Sequence, residues 1–268
     1  MRRRHRPLVL GIAVTIGVLT TTVVPSAAAP AADRTTPKPT VVLVHGAFAD
    51  ASGWSGVVSR LKKAGYPVVA PANPLRGLQS DAAYLSSLLG TIDGPKIVVG
   101  HSYGGAVVTE AAASVPEVKA LVYVAAFMPD KGEVLGELSN RFPGSELLPA
   151  LEGLPDGAGH TDVAIKPDKF HDVFAGDLPR SQTSVLAVSQ RPVSLSAFES
   201  TAQVAAWRTI PSWFMVATGD KTISPALERF QAKRAGSHTV EVNSSHVVMM
   251  SHPDKVAALI KSAAKSTR

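Results

Sequence analysis

The chain has 268 residues, 45% of them hydrophobic and 18% charged, with a mean hydropathy of +0.14; this is enough apolar surface for a globular domain and excludes a disordered polyelectrolyte. Its 27 Lys and Arg against 21 Asp and Glu look basic, but four arginines fall in the first six residues, leaving 23 against 21 in the rest, with no basic run there to grip nucleic acid. There is no cysteine, which excludes disulfides, a thiol nucleophile and thiolate metal sites.

In chain order, Met1 to Arg6 is basic, Leu8 to Val24 apolar, and Ser26-Ala27-Ala28-Ala29 small. That succession predicts a secretory signal peptide over 1–28, removed after Ala28 to leave an extracellular protein with no stable membrane association; a retained anchor is the alternative reading. Residues 29–39, rich in Ala, Pro and Thr, form a tether. Thr40 to His45 predicts a buried strand, Gly53 to Ala64 a helix, Pro67 to Ala70 a strand, Ser80 to Leu89 a helix, Lys96 to Val99 a strand, Ala106 to Ala113 a helix and Val118 to Ala125 a strand. Short apolar runs alternating with amphipathic helices predict an α/β fold, a doubly wound parallel sheet covered on both faces. The core's first part is thus 40–127.

Over 128–206 the rhythm fails, Pro and Gly recur and no strong strand run stands out, which predicts an inserted, mainly helical cap. Its helices are expected at Asp168 to Phe174 and at Ser194 to Ala206, where Leu195, Phe198, Ala202 and Ala205 are spaced for one face. The rhythm resumes over 207–268 with a strand at Ser212 to Ala217, a helix at Pro225 to Ala235, a strand at Thr239 to Val242 and a last helix from Pro253 to Ala264, with Ser251 as its expected N-cap.

The chemistry centres on Gly100-His101-Ser102-Tyr103-Gly104-Gly105, a strand, a tight turn and a helix with serine at the apex. This is a nucleophile elbow. A serine needs a base and an acid to orient that base, each expected beyond the carboxyl end of a strand. Asp220 in Thr218-Gly219-Asp220-Lys221 and His246 in Asn243-Ser244-Ser245-His246 stand in the required order, with His252 the alternative base and Asp130 or Glu133 alternative acids. The backbone N–H groups of Tyr103 and Ala47, the latter in His45-Gly46-Ala47-Phe48, are the expected oxyanion donors. Phe48, Phe127 and Met128, together with Tyr103, are candidate substrate contacts at strand ends; Phe170, Phe174 and Leu186 are cap candidates.

These motifs together resemble the α/β-hydrolase superfamily from about Thr40 to Ala264, and within it the compact branch of plant methyl-ester esterases, hydroxynitrile lyases and bacterial pyrethroid-type or salicylate-type carboxylesterases. The resemblance implies a six-stranded sheet, a Ser-His-Asp serine hydrolase without cofactor or metal, and a small-molecule ester substrate. The lyases of the group carry a threonine where Gly46 stands and a lysine after the catalytic histidine, where this chain has Val247. Both departures point to an esterase. Epoxide hydrolases would carry a carboxylate at Ser102. Carbon-carbon or amide hydrolysis and perhydrolysis use the same triad, and a ligand-binding protein on this scaffold is the alternative outside enzymes.

Overall fold

The computed structural model describes residues 37–267 and, singly, residues 11, 13 and 17; the expected signal peptide and most of the tether lie outside the described residues. In chain order the elements are β1 (Thr40–Val44), α1 (Ser55–Lys63), β2 (Val68–Val69), α2 (Leu78–Gly90), β3 (Lys96–Ser102), α3 (Tyr103–Ala111) and β4 (Val118–Ala126). The segment above the sheet holds α4 (Leu135–Ser139), α5 (Leu147–Ala150), β5 (Leu151–Pro155), β6 (Thr161–Ile165), α6 (Pro167–Phe174), α7 (Arg180–Ser189), β7 (Val193–Ser194) and α8 (Ser196–Glu199). The chain returns to the core through β8 (Ser212–Ala217), α9 (Pro225–Arg234), β9 (His238–Val242), α10 (Val248–Ser251) and α11 (Pro253–Ser266).

The main sheet has six strands in the order β2-β1-β3-β4-β8-β9, all parallel, as expected from the sequence. Every residue of β3 is buried, as are nearly all of β1, β4 and β8, because helices cover both faces; this is why the strands read as unbroken apolar runs. The covering helices show the matching period: α1 buries Val57 and Leu61 and α11 buries Val256, Ile260 and Ala264 at four-residue spacing. Because β2 lies on one side of β1 and β3 on the other, the chain reverses its direction of travel across the sheet between β1 and β3. The loops leaving those two strands border a crevice at their carboxyl ends, where open α/β sheets bind ligands.

The cap is mainly helical, as expected, but it also contains a three-stranded antiparallel sheet, β5-β6-β7, that its sequence did not announce. The helix expected over Ser194 to Ala206 is corrected to the short α8, with Val193–Ser194 extended before it. After Glu199 the chain is drawn out by tertiary pairing: Val134 bridges Thr201, Gly132 donates to the Ala202 carbonyl at 2.8 Å, and Ala202 donates back to Glu133 at 2.8 Å. Leu195 is exposed and Ala197 buried, so the apolar spacing never forms one helical face. Ser251 does not cap the last helix either. It ends α10, His252 occupies the cap position without a side-chain cap bond, and Pro253 starts α11, where its missing N–H costs nothing.

Candidate active site

Ser102 ends β3 and immediately precedes α3, at φ 54° and ψ −128°, a region that non-glycine residues seldom occupy. The strain is held by packing on both sides. At Gly104 a Cβ would lie 2.7 Å from the carbonyl oxygens of both Val44 and His45, so only glycine lets α3 press against β1. Phe127 N–H donates to the Ser102 carbonyl at 3.1 Å, and Phe48 and Ala125 also have positive φ, so three strained non-glycine residues lie at the carboxyl ends of β1, β3 and β4. No hydrogen bond joins the Ser102 hydroxyl to His246 Nε2 among the described residues, and Ser102 is 5% exposed.

His246 follows β9 and Asp220 follows β8. Nδ1 of His246 lies 2.5 Å from Oδ2 of Asp220, both side chains fully buried. An ionised carboxylate only accepts, so Nδ1 carries the ring proton and Nε2 keeps its lone pair. That Nε2 is buried without a hydrogen-bond partner. The other Asp220 oxygen accepts from the N–H groups of Thr222 at 2.6 Å and Ile223 at 3.0 Å, fixing the carboxylate plane. His101, next to Ser102 in the chain, donates from Nε2 to the His246 carbonyl at 2.9 Å, and the two imidazole centroids are 4.6 Å apart. The structure therefore joins the elbow strand to the histidine loop and brings Asp220 onto His246. Burial, with the nearby His246 and His45 adding to it, holds His101 well below the usual histidine range and keeps it neutral.

The loop after β1 crosses the elbow closely: a Cβ at Gly46 would lie 2.5 Å from Ser102 Cβ and 3.2 Å from its Oγ. Ala47, the next residue, has an N–H without a hydrogen-bond partner among the described residues. Tyr103 is the first residue of α3, where backbone donors lack intrahelical partners. His45 braces the loop, its Nε2 accepting from Asn73 N–H at 2.9 Å and its Nδ1 donating to the Gly46 carbonyl at 2.9 Å. The Tyr103 side chain turns away from the crevice into the core, where its hydroxyl donates to buried Asp81 at 2.8 Å; burial raises the pKa of both groups.

A partly open cavity of about 30 Å³ is lined by Phe48, Asp50 and Val247 from the core and Phe170, Phe174 and Leu186 from the cap; neither Ser102 nor His246 lines it. Phe174 also packs on the imidazole, with ring centroids 5.0 Å apart. Phe127 and Met128 do not line it: both are buried, and the Met128 N–H donates to Gln231 Oε1 at 2.7 Å. The alternative residues have other partners, Asp130 pairing with Arg208, Glu133 with Arg234 and Arg141, and His252 reaching the Asn243 carbonyl at 3.2 Å. No cluster of three His, Asp or Glu suited to a metal occurs among the described residues.

Two carboxyl groups near the site escaped the sequence reading. Glu228 on α9 is fully buried, its Oε2 accepting from Ala217 N–H at 3.0 Å and its Oε1 without a partner. Burial, reinforced by the charge of Asp220, pushes its pKa well above the ordinary carboxyl range. Its signal was available, for Glu228 shares the buried stripe of α9 with Gln231 and Ala232. Asp177, between α6 and α7, reaches the residues preceding His246; no local pattern announces a contact that long in sequence.

Residues 41–259 match the model of the alpha/beta hydrolase family. A carbendazim hydrolyzing esterase of Nocardioides sp. is 26% identical over 245 residues, covering 81% of this chain and 96% of the relative. A pyrethroid hydrolase of Sphingobium wenxiniae is 25% identical over 253 residues, covering 82% and 85%. Among solved structures, polyneuridine aldehyde esterase superposes with a TM-score of 0.72 at 18% identity, covering 84% of this chain and 98% of that one, which speaks to the fold.

Proposed function

Because the chain belongs to the alpha/beta hydrolase family, we propose that it is a secreted serine carboxylesterase for small to medium, uncharged esters. The observation that carries this reading is the 2.5 Å contact of His246 Nδ1 with Asp220 Oδ2, which, with the Nδ1 proton directed at the carboxylate, leaves the buried, unpartnered Nε2 free to act as the base for Ser102. Ser102 attacks the ester carbonyl and gives its proton to Nε2. Asp220 keeps the ring oriented and stabilises the imidazolium, and the Ala47 and Tyr103 N–H groups receive the oxyanion. The imidazolium then protonates the departing alcohol, and water activated by the same base releases the acid from the acyl-enzyme.

Phe48, Phe174, Leu186 and Val247 make the lining mainly apolar beside Asp50, which supports an uncharged substrate, and Val247 gives no cation to hold a cyanide leaving group. One relative is named an esterase and another a pyrethroid hydrolase, which agrees with ester chemistry. A cavity of about 30 Å³ holds little more than a water, so an ester larger than this needs the lining to move, which includes Phe170 and Phe174 of α6 and Leu186 of α7. Export is supported by the basic, apolar and small succession of the first 28 residues.

The test is turnover of p-nitrophenyl acetate and butyrate. Ser102→Ala is expected to lower kcat by at least about a thousandfold with the fold intact; a variant as active as the parent removes Ser102 from the chemistry.

A further inference from the structure

His246 is gripped from two sides. The core holds its loop through His101, which donates to the His246 carbonyl at 2.9 Å, and through Gly219 N–H, which donates to the Ser244 carbonyl at 3.0 Å. The cap holds it through Asp177. Oδ2 of Asp177 accepts from Ser244 Oγ at 2.7 Å and from Ser245 N–H at 3.0 Å, while Oδ1 accepts from Ser245 Oγ at 2.5 Å. Ser244 Oγ is linked onward to Ser251 Oγ at 2.9 Å, so a hydroxyl from the far side of His246 joins the same cluster through Ser244. Among the described residues, Asp177 is the one group outside the loop that bonds Ser245, the residue immediately before His246.

Phe174, three residues before Asp177, packs on the imidazole face. One short cap segment therefore touches the histidine's ring with an apolar side chain and its backbone with an anion. Burial disfavours the Asp177 charge, but the hydrogen bonds from Ser245 and Ser244 outweigh it and hold the carboxyl below its ordinary range, so it is ionised at neutral pH. Charge-assisted bonds of this kind are roughly twice as strong as neutral ones, and the largely buried Ser244 and Ser245 hydroxyls depend on the carboxylate as acceptor.

We propose that Asp177 is a positioning residue: its carboxylate clamps the cap to the Ser244-Ser245 backbone, and the seating of the cap thereby sets the direction in which His246 presents Nε2. The inference rests on His246 being the general base. It makes cap closure and assembly of the base one event, since a cap displaced to admit substrate also pulls on the residue preceding the histidine. Misplacing a catalytic group by about 1 Å costs on the order of a hundredfold in rate.

The experiment uses the full chain and the variants Asp177→Asn, Ser245→Ala and their combination, with Arg180→Ala as a control that breaks the exposed Arg180–Asp172 pair on the same cap segment. For p-nitrophenyl butyrate, Asp177→Asn is expected to lower kcat at least about tenfold with KM within about twofold. The double variant is expected to be no worse than Asp177→Asn, because both changes remove the same clamp. The low-field proton resonance of His246 Nδ1–H, bonded to Asp220, is expected to shift or broaden in Asp177→Asn and to stay in place in Arg180→Ala. The proposal is overturned by an Asp177→Asn enzyme that keeps its kcat, loses only in KM, or leaves that resonance unmoved. If Asp177→Asn fails to fold, Ser245→Ala alone must show the same kcat loss and the same resonance change. A wild-type protein inert to every ester would defeat the esterase reading, and the resonance would still decide the role of Asp177.

Discussion

The sheet side of the candidate site is held by backbone pressed on backbone, whereas the cap side is held by side chains that reach across long sequence separations. On the sheet side, Ser102 is fixed by β3, by Gly104 against the Val44 and His45 carbonyls, and by Gly46 against the serine itself. On the cap side, Phe174 leans on His246 and Asp177 grips Ser244 and Ser245. Close backbone contact admits one residue type at a position and tolerates no drift. Side-chain contact can be remade by a neighbouring rotamer. Under the proposed function, the chemistry sits on the rigid half and the choice of substrate on the adaptable one.

The largest effect that bears on this contrast comes from adding one methyl group to each half. Gly104→Ala forces backbone apart and is expected to cost about 3 kcal/mol or prevent folding. Gly176→Ala, whose Cβ would stand 3.5 Å from the His171 carbonyl, is expected to change stability by no more than about 0.5 kcal/mol. Thermal unfolding of the two variants decides it, and equal losses would erase the distinction between the halves.

Phe174→Leu is next. Trimming the side chain that both lines the cavity and covers His246 is expected to raise the ratio of kcat/KM for p-nitrophenyl octanoate over acetate by about tenfold while the fold is kept. An unchanged ratio would mean that the cap does not select the acyl chain.

The smallest effect tests a buried carboxyl group in the core. Glu228 lies under β8 with a partnerless oxygen and a raised pKa. The unfolded chain releases this proton above about pH 4.3 while the folded chain keeps it, so stability falls as pH rises from there toward the folded-state value. Glu228→Gln keeps an acceptor for Ala217 N–H and removes the linkage. It is expected to stabilise the protein by about 1 kcal/mol at pH 8 and by less at pH 5. A gain that does not grow with pH in urea titrations would show that Glu228 is ionised in the folded protein.

The contrast also explains what could be read from the amino-acid order. The runs 40–45, 96–99, 118–125 and 212–217 were legible because burial on both faces leaves little but apolar residues, and the elbow because its glycines answer to fixed collisions. The loops carrying Asp220 and His246 followed from strand order. The cap was less legible. Leu195, Phe198, Ala202 and Ala205 carry a helical spacing, yet the backbone beyond Glu199 pairs with Glu133 and Leu135, a choice made by a partner far away in the chain. Asp177 is one polar residue in a loop full of them until the fold sets it against Ser245.

The pairing of Gly132 and Glu133 with Ala202 has a wider consequence. The chain leaves the core and comes back to it through one hydrogen-bonded gate, so whatever is strung between the two posts is a closed loop whose ends are already tied. The entropy of closing such a loop grows only with the logarithm of its length, about 0.6 kcal/mol for each doubling. Segments can be lengthened, shortened or exchanged there at little cost to the sheet below, and a lineage of such enzymes can change its diet by rewriting the lid while the hinge posts and the serine stay where they are.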